Sequence, residues 1–283
     1  MIYKKQRRAF TMLELIMVIV VLGIVSSIGA SIIAQVYENY IIQRAQYRAT
    51  NKTELALKQI ANRLRYAIPN TIGIRKNNTT DTFIDISTNP HEEVKVLQWV
   101  GYDGDSFEAI SGSASTGAAR RPGWSGFCDV NDTINTTGKL ITPGSNLEFT
   151  STIISKLGGN IDNASIYFAD TNGTSYGISG GSSESITLDS PFPLGTMINE
   201  RYKLAWSSYA LEINSDNDLI LHYNFSPTRA TVIDSSKQIL LKNVANFRFR
   251  YADGAFRLKI CKKEQIGMDE NITIHACKEK VVF

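Results

Sequence analysis

The sequence predicts an α+β protein, a long N-terminal helix packed on a mainly antiparallel β-rich domain. Three observations predict it. A short basic leader is followed by an uncharged apolar run, Leu15 to Ala34, of about the twenty residues that span a bilayer as a helix. The chain then continues without Pro or Gly from Val36 to Ile68, and its second half carries apolar residues at spacings of three and four. After Ile74 the pattern changes to an alternation of period two.

The leader is residues 1–9. Lys4, Lys5, Arg7 and Arg8 outweigh the formal net charge of +3, so everything from Ala9 onward sums to −1. The basicity therefore belongs to the leader, and net charge gives no reason to invoke nucleic acid. A basic cluster before the apolar run, with none to match it after, predicts a cytoplasmic N-terminus. The run is too long for an ordinary secretory signal, and "SSIGASIIA" offers only weak cleavage sites. One residue in this segment, assigned to 10–36, is out of place. Glu14 is a carboxylate where burial costs about 2.5–3.5 kcal/mol at a helix centre, and less near the interface.

Residues 37–69 continue the stem as an amphipathic helix. Leu57, Ile60, Ala61, Leu64, Ala67 and Ile68 form its stripe, and Lys58, Asn62, Arg63 and Arg65 face elsewhere. Pro69 sets the expected end, because proline disfavours helix at the residue before it. One helix from Thr11 to Ile68 would be roughly 85 Å long.

Residues 70–283 read as the β-rich domain. Strands are expected at Thr82–Ile86, Val94–Val100, Ser165–Phe168, Ser185–Leu188, Ser208–Ile213, Leu219–Phe225, Ile239–Val244, Asn246–Tyr251, Ala255–Ile260 and Ile272–Ala276. Two hairpins are signalled, one through "NSDND" and one with Asp253-Gly254 at its turn. The Gly/Ser/Thr/Asn-rich tract near 111–146 reads as a long excursion or a partly disordered loop.

The three cysteines, Cys128, Cys261 and Cys277, fit an oxidising compartment and allow three pairings, or three free thiols. The local pair Cys261–Cys277 is preferred, since a loop of about fifteen residues is worth roughly 3 kcal/mol in the chain-entropy model.

The basic leader, a small residue, Phe-Thr-x-x-Glu and an apolar helix stand together in "KKQRRA/FTMLELIMVIVVLGIV". In this combination the N-terminus resembles the processing site of the type IV pilin and type II secretion pseudopilin family, with Gly23 where many pilins have a glycine. The resemblance covers roughly the first sixty residues. It implies that a prepilin peptidase cuts between Ala9 and Phe10 and methylates the new amine. It also implies anchorage in the inner membrane with the globular domain in the periplasm, then assembly with other pilin or pseudopilin subunits through an inner-membrane platform. Glu14 then has a reason to be where it is. The cationic Phe10 amine of a neighbouring subunit can pair with it, and sliding a helix in low dielectric would leave both charges uncompensated. Ala9 departs from the usual glycine before the cut, and Ser31 stands where major pilins commonly have a kinking proline. Major pilins are much shorter, so the size is similar to a minor pilin or a large pseudopilin. "RLRYAIPNTIGI" and "LLKNVANFRFRY" are similar to minor pilins of mannose-sensitive haemagglutinin pili and to the W and J classes. Tip pseudopilins of the K class typically lack the acid that Glu14 supplies.

Chemistry offers little else: no catalytic residues, metal or cofactor are expected. His91, His222 and His275 lack metal-type spacing. "GISGG" (Gly177–Gly181) fits the nucleophile-elbow pattern but is followed by "SSES", which reads as a flexible turn. "DGDSFE" and "DTNG" have oxygen ligands at calcium-like spacing without a full loop pattern. The terminal hairpin carries the one charged patch. Arg248, Arg250, Arg257 and Lys259 fall on one face, with Lys262 and Lys263 just beyond, and Phe247, Phe249, Tyr251, Phe256, Leu258 and Ile260 fall on the other. An acidic subunit, lipid phosphate or DNA would relieve the crowded charge, though the −1 balance argues against DNA, and a solvated face is the plain alternative. In another functional class, the chain would be a signal-anchored periplasmic binding protein or enzyme that never polymerises.

Overall fold

The computed structural model describes residues 11–87, 95–112, 119–135, 138–169, 172–193, 195–196, 198–233, 236–252, 255–266 and 273–282. The architecture is α+β. Helix α1 runs unbroken from Met12 to Leu64, about 80 Å at 1.5 Å per residue. No kink occurs at Ser31, whose hydroxyl donates to the Ile28 carbonyl at 2.8 Å and stays within the helix. The helix ends four residues before the expected Ile68. The cause is tertiary: Ala67 bridges to Gly101, and the Ile68 amide donates to the Val100 carbonyl, so the strand Val96–Gly101 draws the backbone out of the helix before Pro69 is reached.

The strands form two main sheets and two smaller ones. Strands β1 (Gly73–Arg75), β2 (Ile84–Asp85), β3 (Val96–Gly101), β11 (Ser207–Ile213), β12 (Leu219–Phe225) and β13 (Ser236–Leu241) make a six-stranded sheet in the order β13-β12-β11-β3-β1-β2. Strands β6 (Lys139–Ile141), β7 (Ser165–Phe168), β8 (Ser175–Ser182), β9 (Ser185–Leu188) and β10 (Tyr202–Ala205) make a five-stranded sheet in the order β10-β7-β8-β9-β6. The terminal sheet is β14 (Val244–Ala252), β15 (Ala255–Gln265) and β16 (Thr273–Val282), all antiparallel, while β4 (Ile110–Ser111) and β5 (Arg121–Pro122) form a small pair. Both expected hairpins pair in register; the Asp253-Gly254 turn lies outside the described residues.

Two cores hold these sheets. In the first, Leu57, Ile60, Ala61 and Leu64 of α1 meet Leu97, Trp99, Leu211 and Leu221 of the six-stranded sheet and Leu258, Ile260 and Val282 of the terminal sheet. The expected stripe is therefore the buried one, with Ala67 only partly covered. The second core gathers Leu140, Ile166, Ile178, Ile186 and Leu204 of the five-stranded sheet with Leu147 and Ile154 of α4 (Leu147–Lys156).

Several expectations need correction. The 111–146 tract is folded where it is described, supplying β5, α3 (Val130–Asn135), β6 and a buried Trp124. Its polarity misled because the polar groups satisfy one another inside. Thr142 and Ser145 share a 2.7 Å hydroxyl bond, and the Tyr202 hydroxyl reaches Thr142 at 2.7 Å. "GISGG" lies within β8, Gly177 pairing with β7 and Ile178 to Gly181 with β9, rather than in a flexible turn. "DGDSFE", read as lacking a full calcium-loop pattern, is the short helix α2 (Gly104–Glu108) with Asp103 as its N-cap. The strand expected at Ile239–Val244 starts and stops earlier, since Asn243 adopts φ +56° and turns the chain before Val244 opens β14. Of Thr82–Ile86, only Ile84 and Asp85 are strand.

Candidate functional site

The stem is built in two halves that differ in what covers them. From Ala49 onward, α1 buries Ala49, Thr53, Ala56, Leu57, Ile60, Ala61 and Leu64 against the domain. Before Ala49 no residue of the helix is buried, although the segment is rich in Ile, Val, Leu and Met; Met12 is 85 % exposed and Ile33 71 %. A continuous apolar surface of this length is unlike that of a soluble monomer, whose contiguous apolar patches are small. The helix is long and apolar enough to cross a membrane. Its bare surface calls for lipid or for the same segment of other chains.

Glu14 sits in the first turn of this bare half. Thr11 is the N-cap, with its side chain accepting from the Glu14 amide at 3.4 Å. Glu14 thus occupies the third helical position, where a capping-box glutamate stands and where the helix dipole favours negative charge. Both effects are local and would serve a helix in any solvent. Ala9 and Phe10 lie outside the described residues, so the geometry of the expected cleavage and methylation position is not seen.

The terminal sheet presents the basic face. Register places Arg248 opposite Lys259 and Arg250 opposite Arg257, all four exposed. Phe247, Phe249 and Tyr251 turn inward beside Phe256, Leu258 and Ile260. On β16, Glu279 lies opposite Lys259 and reaches Arg257 Nε at 3.5 Å, so the patch is partly neutralised from its own sheet. Such an exposed pair contributes at most about 1 kcal/mol. Lys262 does not extend the patch. It shares the inward side of β15 with Phe256, Leu258 and Ile260, and is only 3 % exposed with Nζ 2.6 Å from Glu264.

Cys261 and Cys277 face each other across β15 and β16 and are joined by a disulfide. Cys128 is a buried free thiol whose pKa is pushed up to about 11, by burial first and by Asp129 and Glu200 after it. That environment makes it a packing group rather than a nucleophile. Among the described residues no group of three His, Cys, Asp or Glu side chains could hold a metal. His222 is paired with Glu212 at 3.0 Å, His275 is exposed on β16, and His91 lies outside the described residues.

Two arrangements carry no signal in the sequence. One is the aromatic cluster of Tyr66, Tyr102, Trp124 and Tyr202, built from three separate elements and the end of the stem. The other is a polar cleft where the two main sheets meet, lined by residues 158–165, 175–189 and 206–228 in part. Sequence distance hides both.

Fold and stem together give an apolar N-terminal helix, half of it bare, carried on a β-rich domain. Residues 4–30 match the family described as the prokaryotic N-terminal methylation motif, which is typical of type IV pilins and pseudopilins. No curated protein and no solved structure matches the chain.

Proposed function

We propose that this chain is a minor pilin or pseudopilin that assembles into, or primes, a type IV pilus-like filament and performs no catalysis. The observation that carries this reading is the division of α1. One half is packed on the domain. The other is bare, apolar and preceded by the methylation motif. In the inner membrane, lipid covers the bare half; in a filament, the same segments of neighbouring subunits do. The domain lies in the periplasm before assembly, because the leader's four cations hold the N-terminus in the cytoplasm.

Prepilin peptidase hydrolyses the Ala9–Phe10 bond and methylates the Phe10 amine, which remains cationic. Glu14, near this amine in depth, pairs with the amine of an adjacent subunit and fixes the stagger between helices. The inner-membrane assembly platform supplies the extraction step. The face of Arg248, Arg250, Arg257 and Lys259 meets carboxylates of a neighbouring subunit's domain.

N-terminal sequencing of the membrane-extracted chain tests the reading. A chain beginning with N-methyl-Phe10 is expected. An intact Met1 on all of the protein would instead make it a signal-anchored periplasmic protein.

A further inference from the structure

A cleft of about 620 Å³ opens where the six-stranded and five-stranded sheets join. That volume lies within the range of small-molecule sites, but the chemistry of the walls is unusual for one. They carry amides, hydroxyls and carboxylates with a single indole, Trp206, the residue that links β10 to β11. The described lining includes no Lys, Arg or His. Asp162 and Asp189 therefore give the cleft a negative balance with nothing to offset it, which disfavours phosphate, nucleotide or carboxylate ligands.

Two glycines shape the floor. Any side chain at Gly159 would strike the Trp206 ring, and any side chain at Gly177 would strike the Asp189 carboxylate. The backbone thus makes room for an aromatic ring at one end and a carboxylate at the other. Asn160 directs its Oδ1 to the Asp162 amide at 3.1 Å, which leaves its amide donors free of that bond. Asn224, on β12, holds a left-handed backbone at φ +59°, with its backbone amide donating to Ser207 Oγ, and it lines the cleft together with Asn163 of the short helical turn Ile161–Asn163. Planar amides and carboxylates pair with vicinal hydroxyls through two hydrogen bonds at once, and an indole face offers apolar area to the C–H face of a pyranose ring.

We propose that this cleft binds a neutral saccharide, with Trp206 as the stacking platform and Asp189, Asn163 and Asn224 as hydroxyl-reading side chains. The site is independent of the filament reading, since it uses no residue of the stem. In a surface-exposed subunit it would give the domain a glycan ligand. The three asparagine and aspartate side chains are exposed, so they are accessible without rearrangement of the core.

The test uses the full detergent-solubilised chain on an array of immobilised neutral and acidic oligosaccharides, followed by titration with free glucose, galactose, mannose, N-acetylglucosamine and calcium chloride. Intrinsic fluorescence reports the site, because Trp99 and Trp124 are buried and Trp206 is the tryptophan in contact with the cleft. Retention of at least one neutral glycan is expected, with a fluorescence change on titration. Asn163→Ala, an exposed change that spares the core, should weaken that binding at least fivefold, and Trp206→Ala at least tenfold. Trp206→Phe should retain part of the affinity, which separates a stacking role from loss of folding. The proposal is overturned if no neutral glycan is retained, if only acidic glycans or calcium bind, or if retention survives both alanine variants unchanged.

Discussion

Asp103 shows how a single side chain can set a pH dependence. It is 3 % exposed, its Oδ1 accepts from the Ser106 amide at 3.1 Å as the cap of α2, and its Oδ2 has no partner. Burial raises its pKa, with the Ser106 bonds opposing. The folded state then keeps a proton that the unfolded chain releases. Stability is full below the ordinary aspartate value and falls as pH rises toward the raised folded value. Asp103→Asn keeps the cap and cannot ionise. The variant should melt higher than the parent at pH 8, by about 1 kcal/mol or more in stability, and equal it near pH 4. Thermal unfolding at the two pH values checks this, and equal melting at both would remove Asp103 as the source. Cys128 gives a second expectation at this scale. With its pKa at about 11, it should resist alkylation by iodoacetamide at pH 7.5 in the folded chain and react once denatured. None of this was legible in the sequence, because "DGDSFE" reads as ligand spacing until one knows that Asp103 is covered by Trp124 and β10.

At the scale of elements, the sequence was most legible where one periodicity ran undisturbed. The α1 stripe and the strands Ser165–Phe168, Ser185–Leu188 and Leu219–Phe225 occur where the pattern put them. It was least legible where pairing overrode pattern. β3 pulls Ala67 and Ile68 out of the helix, and "GISGG" is ordered by pairing, Gly177 with β7 and Ile178 to Gly181 with β9. Two expectations follow. Ile60→Ala removes a fully buried side chain shared by three elements, and should cost about 2–5 kcal/mol in denaturant unfolding. Cys277→Ser opens a loop whose ends are 16 residues apart. It should lower stability by about 3 kcal/mol, and the parent should lose a similar amount on reduction. No difference between reduced and oxidised parent would mean that the β15–β16 pairing alone holds that edge.

At the scale of the whole molecule, the long stem and the β-rich class were readable, but the second core was not. Its tract disguises a buried Trp124 and a closed hydroxyl network behind loop-like composition. The basic face was legible from alternation alone, while Glu279's contribution to it required the register of β16. What governs the molecule's behaviour is still the stem, where none of the apolar side chains from Met12 to Tyr47 is buried by the described residues. Two roles compete for Glu14 there: a local cap beside Thr11, and a charge partner for another subunit's Phe10 amine. Glutamine separates them, because it can serve at the third position of a capping box but cannot neutralise a cation. The decisive measurement is the amount of Glu14→Gln chain recovered in sheared filaments, relative to the amount inserted and processed in the membrane. The charge-registry account predicts normal insertion and at least a tenfold loss from filaments. Incorporation of Glu14→Gln at the parent level would contradict it.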